Sequence, residues 1–227
     1  LEIETRPFTD RVDESRAVGK NKSDIILIAT DYSFASNPQV LIDELKFIID
    51  RDDLKDMGSI IWAETVNAIR RISPQTTLET LIPDFQGNKR NIDRIVQVAP
   101  EVVSHNIETV KRLTRKVRVQ AKYQTSLEVL HYLKEEGINR TKSGIMLGLG
   151  EKEEEVLQSL HDLRASAVDV VTIGQYLQPS KKHLPVHSFI TPDVFKKYET
   201  FALDLGFKHV ESGPLVRSSY KAHKHIA

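Results

Sequence analysis

The sequence predicts an α/β fold with a parallel sheet, arranged as a partial or complete TIM-like (β/α) barrel. Apolar runs of strand length alternate with helical periodicities, which is typical of βαβ units. Roughly six such units follow one another without a dinucleotide-binding glycine fingerprint, and this favours a barrel over a doubly wound sheet. The 227 residues are enough for one domain of this kind.

The first expected elements precede residue 54. The run from Ile25 to Ala29 is apolar throughout, as in a parallel strand that is buried on both faces. Pro38 suits the first turn of a helix. In chain order, we expect a strand at 25–29, a helix over 37–46, a strand at 47–49 and an acidic turn at 50–53.

From residue 59 onward, further helices and strands are expected. Ile61, Thr65 and Ile69 recur every four residues, as on one face of a helix. Gly137 is expected to end one helix, and Thr191 with Pro192 to begin the last. The expected helices cover 59–72, 92–99, 108–117, 127–133, 151–165 and 192–205. The expected strands cover 77–82, 101–104, 143–149, 168–173 and 209–211.

Polar clusters follow the ends of these strands. In parallel barrels the chemistry lies at the carboxyl ends of the strands, so this recurrence predicts an active mouth there. The clusters are Asp50–Asp53, Asp84, His105–Asn106 with Glu108, Gly148–Glu151 and Gly174–Tyr176.

Several clusters also have a purely structural interpretation. Asn106 or Thr109 can equally cap the following helix, with Glu108 favourably placed near its N-terminus. The backbone N–H groups of Gly148–Gly150 can bind a carboxylate or phosphate, or the glycines can serve only a tight turn. The basic loop Lys181–Pro185 can meet an anionic partner or face water. Both interpretations stay open in each case.

Near the C-terminus, Ser218 and Ser219 follow Arg217. Hydroxyl groups beside a guanidinium can bind an anion, and a serine oxygen can coordinate a metal; a polar tail is the alternative. No base obviously pairs with these serines, so a nucleophilic triad is not indicated.

Composition narrows the function classes. The chain has 32 basic and 32 acidic residues, so no global field favours nucleic acid or an anionic membrane. No apolar run is long enough to span a bilayer. The chain contains no cysteine, which excludes disulfides and zinc–thiolate sites. We expect a cytoplasmic protein with neither a nucleic acid nor a membrane as partner.

Seven segments, in family order, resemble the lipoyl synthase family of radical S-adenosylmethionine (SAM) enzymes. They are Asp50–Leu54, Leu81–Gly87, His105–Val110, Thr141–Glu151, Gly174–Ser180, His183–Val186 and Ser212–Ala222. The resemblance therefore assigns residues 46–227 to a radical SAM barrel portion. Residues 1–45 stay an unassigned N-terminal segment, interpreted as non-native or degenerate.

The resemblance implies two [4Fe–4S] clusters and SAM as cofactors, and insertion of two sulfur atoms into a protein-bound octanoyl group. The implied partner is an octanoylated lipoyl carrier domain or the glycine cleavage H protein. The residues that we carry over to SAM binding are Asn106, Glu108, Arg118 and Lys142. Ser219 or Ser218 is carried over as a ligand of the auxiliary cluster, and no catalytic residue is assigned.

The chain differs from the family because it lacks the family's cysteine thiolates. The family has two cysteine triplets upstream of the matching region, whereas these 227 residues contain none. Iron–sulfur clusters are held mainly by thiolates, so we expect a truncated family member that is inactive alone. One alternative is a non-catalytic relative that binds lipoyl carrier domains or SAM. Another is a cofactor-free enzyme with Glu108 and Lys142 in acid–base roles.

Overall fold

A parallel sheet forms the centre of the fold. The computed structural model describes residues 54–225, and the elements expected at 25–29, 37–46, 47–49 and 50–53 lie outside them. The strands are β1 (Glu79–Leu81), β2 (Val102–Ser104), β3 (Arg140–Leu147), β4 (Val170–Gln175) and β5 (His209–Gly213). They lie in the order β1-β2-β3-β4-β5 and all pair in parallel. The predicted α/β class with a parallel sheet is confirmed.

Helices connect and flank these strands. They are α1 (Ser59–Ile72), α2 (Lys89–Val98), α3 (Thr114–Val117), α4 (Tyr123–Glu135), α5 (Glu153–Ala165) and α6 (Pro192–Asp204). Thr191 and Pro192 begin α6 as predicted. Gly137, at φ 92°, follows the end of α4 in the left-handed conformation expected there. No helix of the described part is long and apolar enough to cross a membrane.

The helix predicted over 108–117 is wrong in its first half, because only Thr114–Val117 is helical. Glu108 instead forms a parallel bridge with Ile145 of β3. Its N–H donates to the carbonyl of Gly144, and its own carbonyl accepts from the N–H of Met146. These bonds hold the chain beside β3 and prevent a helical turn from closing there.

Two apolar clusters form the core. One packs β3 and β4 against α4, α5 and α6 and contains Ile145, Leu160 and Phe195. The other packs α1 and α2 against β2 and α4, and contains Trp62 and Val103. Because side chains alternate along a strand, residues next to these apolar positions face the other side of the sheet. That opposite face carries the polar groups described below.

Candidate functional site

A cavity of about 650 Å³ lies at the carboxyl edge of the sheet, over β1 and β2. It is lined by residues that directly follow these two strands and by the connection between β2 and α4. Its polar lining residues are Asp84, Gln86, His105, Asn106, Glu108, Arg118 and Gln120. The structure thus brings together three of the four residues assigned to SAM binding, and does so at the predicted mouth.

Asn106 and Glu108 form the centre of the polar lining. Asn106 Nδ2 donates to Glu108 Oε1 over 3.1 Å. Asn106 Oδ1 is buried and has no hydrogen-bond partner among the described residues. Glu108 adopts φ 64°, a conformation that non-glycine residues rarely occupy and that is concentrated at functional sites. The capping interpretation of Asn106 is not supported, since no helix begins within the next several residues.

Gly144 of β3 lies directly against this pair. A Cβ atom at Gly144 would lie 2.8 Å from Asn106 Oδ1 and 2.9 Å from Thr172 Oγ1, closer than real Cβ contacts. Because Gly144 has no side chain, the side chain of Asn106 fits beside it. A glycine at this position has a packing role at the site as well as in the strand.

Arg118 belongs to a network of four hydrogen bonds, two of which it donates itself. Its Nη1 donates to the carbonyl of Asn106 at 3.0 Å and to Ser126 Oγ at 3.2 Å. Ser126 Oγ is also 2.9 Å from His105 Nε2, while His105 Nδ1 is 2.9 Å from the carbonyl of Ile82. A carbonyl only accepts, so Nδ1 carries the proton, Nε2 accepts, and Ser126 donates to it. All donors and acceptors in this network are therefore assigned.

His105 is neutral in the folded protein. Its burial is the largest cause of a pKa lowered from 6.5 to about 4, and the nearby positive charge of Arg118 acts in the same direction. The bond to the Ile82 carbonyl and the charge of Asp84 oppose this shift. The imidazole thus positions Ser126, and through it Arg118, without adding charge to the cavity.

Lys142, the fourth assigned residue, is absent from the cavity lining. It is the third residue of β3, near the amino end of the strand, and its side chain is fully buried. Its Nζ lies 2.7 Å from Glu79 Oε1, 3.0 Å from Glu79 Oε2 and 3.2 Å from His225 Nδ1. Burial lowers the pKa of Lys142, and the charge of Glu79 opposes that shift. Lys142 and Glu108 are not brought together as an acid–base pair.

The glycine turn after β3 binds a carboxylate of the chain itself. Gly148 N–H donates to Glu151 Oε1 over 2.6 Å, and Leu149 N–H donates to Glu151 Oε2 over 2.9 Å. The two donors that a free anion would need are therefore occupied. Of the two interpretations of this turn, the structure supports the structural one.

The two serines assigned to the auxiliary cluster lie after β5. Ser218 and Ser219 are half-buried in a turn in which Tyr220 N–H donates to the Arg217 carbonyl and Ala222 N–H to that of Ser219. Among residues 54–225, no group of three or more His, Cys, Asp or Glu side chains could hold a metal ion. Serine ligation of a cluster remains a prediction.

Sequence reasoning missed Ser126 and Glu79, although each left a signal. Ser126 lies on the buried stripe of α4 with Tyr123, Leu127 and Leu130, where a polar residue needs a partner. Glu79 is an acidic residue within a buried strand, which likewise demands a partner. Neither signal by itself identifies that partner.

The chain is similar to several known proteins. The family model described as "Radical SAM superfamily" matches residues 34–163. The chain is 78% identical over 178 residues to the lipoyl synthase of Christiangramia forsetii and to the mitochondrial lipoyl synthase of Nematostella vectensis. It is 77% identical, also over 178 residues, to that of Flavobacterium johnsoniae.

These matches cover 78% of the chain and about 61% of the length of the first two relatives. The third relative is covered over 62% of its length. Among solved structures, methylornithine synthase (PylB) superposes with a TM-score of 0.52 at 15% identity. That superposition covers 71% of this chain and 56% of the other, and at this identity it supports the fold alone.

Proposed function

This chain belongs to the radical SAM superfamily and is a lipoyl synthase family protein, and from that premise we propose that it binds SAM in the cavity over β1 and β2. The observation that carries the proposal is the group of Asn106, Glu108 and Arg118 in the lining of that cavity, together with Asn106 Oδ1, which is buried and has no partner among the described residues. A buried acceptor without a partner is costly unless a ligand supplies the donor.

The polar groups of the cavity match the charges of SAM. Asn106 Oδ1 and the Glu108 carboxylate accept, which suits the ammonium group or the ribose hydroxyls of the ligand. Only Nη1 of Arg118 bonds to described residues, so the rest of its planar fork is available to the ligand carboxylate. Bound SAM supplies the radical chemistry of this superfamily, whereas these residues bind and orient it.

The residues present do not fit the iron–sulfur clusters. The 227 residues contain no cysteine, and the described part holds no cluster of hard or imidazole ligands in its place. Thiolates for a cluster therefore do not come from these residues. We accordingly propose that the chain is inactive alone and that sulfur insertion into an octanoyl group requires cysteines that lie outside it.

The partner and the compartment are also part of this proposal. The partner is an octanoylated lipoyl carrier domain or the glycine cleavage H protein, and the compartment is the cytoplasm. One relative is mitochondrial by name, so cell fractionation tests the compartment. A non-catalytic relative that binds SAM or carrier domains is the second candidate. It is favoured by the absence of cysteine beside an intact cavity.

Titration of the full chain with SAM, with the heat of binding measured by calorimetry, tests the proposal that the chain binds SAM. Wild-type protein should bind one equivalent, and Arg118→Ala should bind roughly 10- to 150-fold more weakly, because a hydrogen bond to a charged group contributes about 1.5–3 kcal/mol. Arg115→Ala is the matched control, since Arg115 belongs to the same connection but does not line the cavity. It should leave the affinity unchanged.

Two results would contradict the proposal. Wild-type protein without SAM affinity would remove it, and so would an Arg115→Ala variant as weak as Arg118→Ala. Iron and sulfide analysis after reconstitution then tests the proposal that this chain alone does not hold an iron–sulfur cluster. A stoichiometric cluster bound by this chain alone would overturn it.

A further inference from the structure

We propose that the connections that follow β2, β4 and β5 form a docking surface for an acidic protein domain. Their charge is one-sided although the chain as a whole is balanced at 32 basic and 32 acidic residues. Residues 109–122 contain six Lys or Arg, residues 176–192 contain two and residues 214–224 contain three. These three segments contain no Asp or Glu, and the one acidic residue of the three connections is Glu108, which precedes the first segment and lines the cavity.

The three connections form one continuous surface. Arg112, after β2, donates to the Gly150 carbonyl, and His187, after β4, donates its N–H to the Gly148 carbonyl of the same turn. After β5, Val216 lies against Gly174 near the end of β4, where Gln175 Nε2 binds the Ser188 carbonyl. Each connection therefore touches a strand end that a neighbouring connection also touches.

Nearby acidic groups, among them those of the first turn of α5, offset only part of the charge of this surface, and Lys221 is paired with Glu211 at 3.1 Å. Glu155 is paired with Arg112 at 2.6 Å, and Glu153 with Lys197 at 2.7 Å. The Glu151 carboxylate is held by the backbone N–H groups of the glycine turn. By contrast, Lys181 and Lys182 are exposed, and neither forms an ion pair with a residue of the described part.

Large apolar side chains are exposed on the same connections. Val119 is 83% exposed, Phe189 75% and Leu215 81%, one on each connection. Exposed apolar groups inside a charged rim are typical of sites that contact another protein, in which the apolar groups anchor and the charges steer. This combination favours a folded acidic domain over a nucleic acid strand, which would be bound mainly through its phosphates.

The surface lies at the same edge of the sheet as the cavity, so a docked domain would present its modified side chain to the mouth. The identification of the acidic domain as the carrier of the octanoyl group rests on the proposed function. The evidence for the surface itself does not depend on that function. The proposal is therefore tested by carrier binding, and the proposed function by SAM binding, on the same protein.

The experiment measures association of the full chain with an octanoylated lipoyl carrier domain of net negative charge. Lys181→Gln/Lys182→Gln should lower the association rate roughly fivefold at low ionic strength, because steering by surface charge affects mainly this rate. The difference should vanish at about 0.5 M salt, where charges are screened. Arg71→Glu changes the net charge equally, lies in the last turn of α1, and should have no such effect.

The apolar part is tested by Leu215→Ser, which should raise the dissociation rate roughly fivefold or more because it removes an anchor. Leu203→Ser, on the C-terminal half of α6 and also exposed, is the control.

Absence of carrier binding by wild-type protein would overturn the proposal. So would equal effects of the control variants, or displacement of the carrier by an equimolar DNA duplex. Loss of SAM binding with intact carrier binding would instead contradict the proposed function and leave the surface standing.

Discussion

Replacing Glu79 with leucine is expected to lower the free energy of unfolding by about 3–5 kcal/mol, the largest effect of any single change that the structure indicates. Both carboxylate oxygens of Glu79 lie within 3.0 Å of Lys142 Nζ, and Ser104 Oγ donates to Oε1 at 2.7 Å. The leucine variant would leave the Lys142 ammonium, whose side chain is fully buried, without its hydrogen-bonded counter-charge; the other carboxylate that acts on it, Glu211, is already paired with Lys221. An uncompensated buried charge is more costly than the pair is stabilising.

Urea denaturation measures this loss through Trp62, the one tryptophan of the chain, which is 4% exposed in the core. The double variant Glu79→Leu/Lys142→Met is the control, because it removes both charges and should recover most of the lost stability. A single variant that loses less than about 1 kcal/mol would refute the interpretation of this pair as a buried ion pair. So would a double variant that is less stable than either single one.

This pair also shows where sequence reasoning reaches its limit. Lys142 was assigned to SAM binding because it belongs to a segment that resembles the family and lies next to an end of the strand predicted over 143–149. The strand begins at Arg140, three residues before the expected start, and Lys142 lies near its amino end. Both the predicted and the observed bounds place Lys142 at the amino end, so closeness to a strand end did not indicate which edge of the sheet its side chain reaches. The structure pairs it with Glu79 and does not place it in the cavity lining.

Elements with strong periodicity were predicted well. The helix over 59–72 agrees with α1, and the apolar spacing of α4, α5 and α6 agrees with their buried stripes. The stretch 108–113 failed because its conformation depends on bonds to Gly144 and Met146, which are distant in sequence. Local propensity cannot report such a tertiary contact.

The same distinction between local sequence patterns and tertiary contacts applies to the candidate site. Asn106, Glu108 and Arg118 were identified from polar residues near strand ends, which the parallel topology brings to one edge. The partners that orient them were not identified, because Ser126 lies eight residues beyond Arg118, in α4 and outside every segment that resembles the family. The residues that line the cavity can thus be predicted from topology, whereas those that position them need coordinates.

The second large effect is a dependence of stability on pH. The free energy of unfolding should fall by up to about 3 kcal/mol as the pH falls from about 6.5 to about 4, because of the titration of His105. Burial is the main reason that its pKa in the folded state is lowered to about 4, whereas the unfolded chain has a value near 6.5. Between these values the unfolded state binds the extra proton. The stabilisation is therefore complete above 6.5 and is lost as the pH falls through 4.

His105→Asn isolates this contribution from the titrating carboxylates, because asparagine keeps a donor toward the Ile82 carbonyl but does not titrate. The stability difference between wild type and variant, measured by urea denaturation, should be largest near pH 7 and shrink toward pH 4. A difference independent of pH would show that His105 is not neutralised by burial. The same variant should also weaken SAM binding at pH 7, because Ser126 would lose the acceptor that orients it toward Arg118.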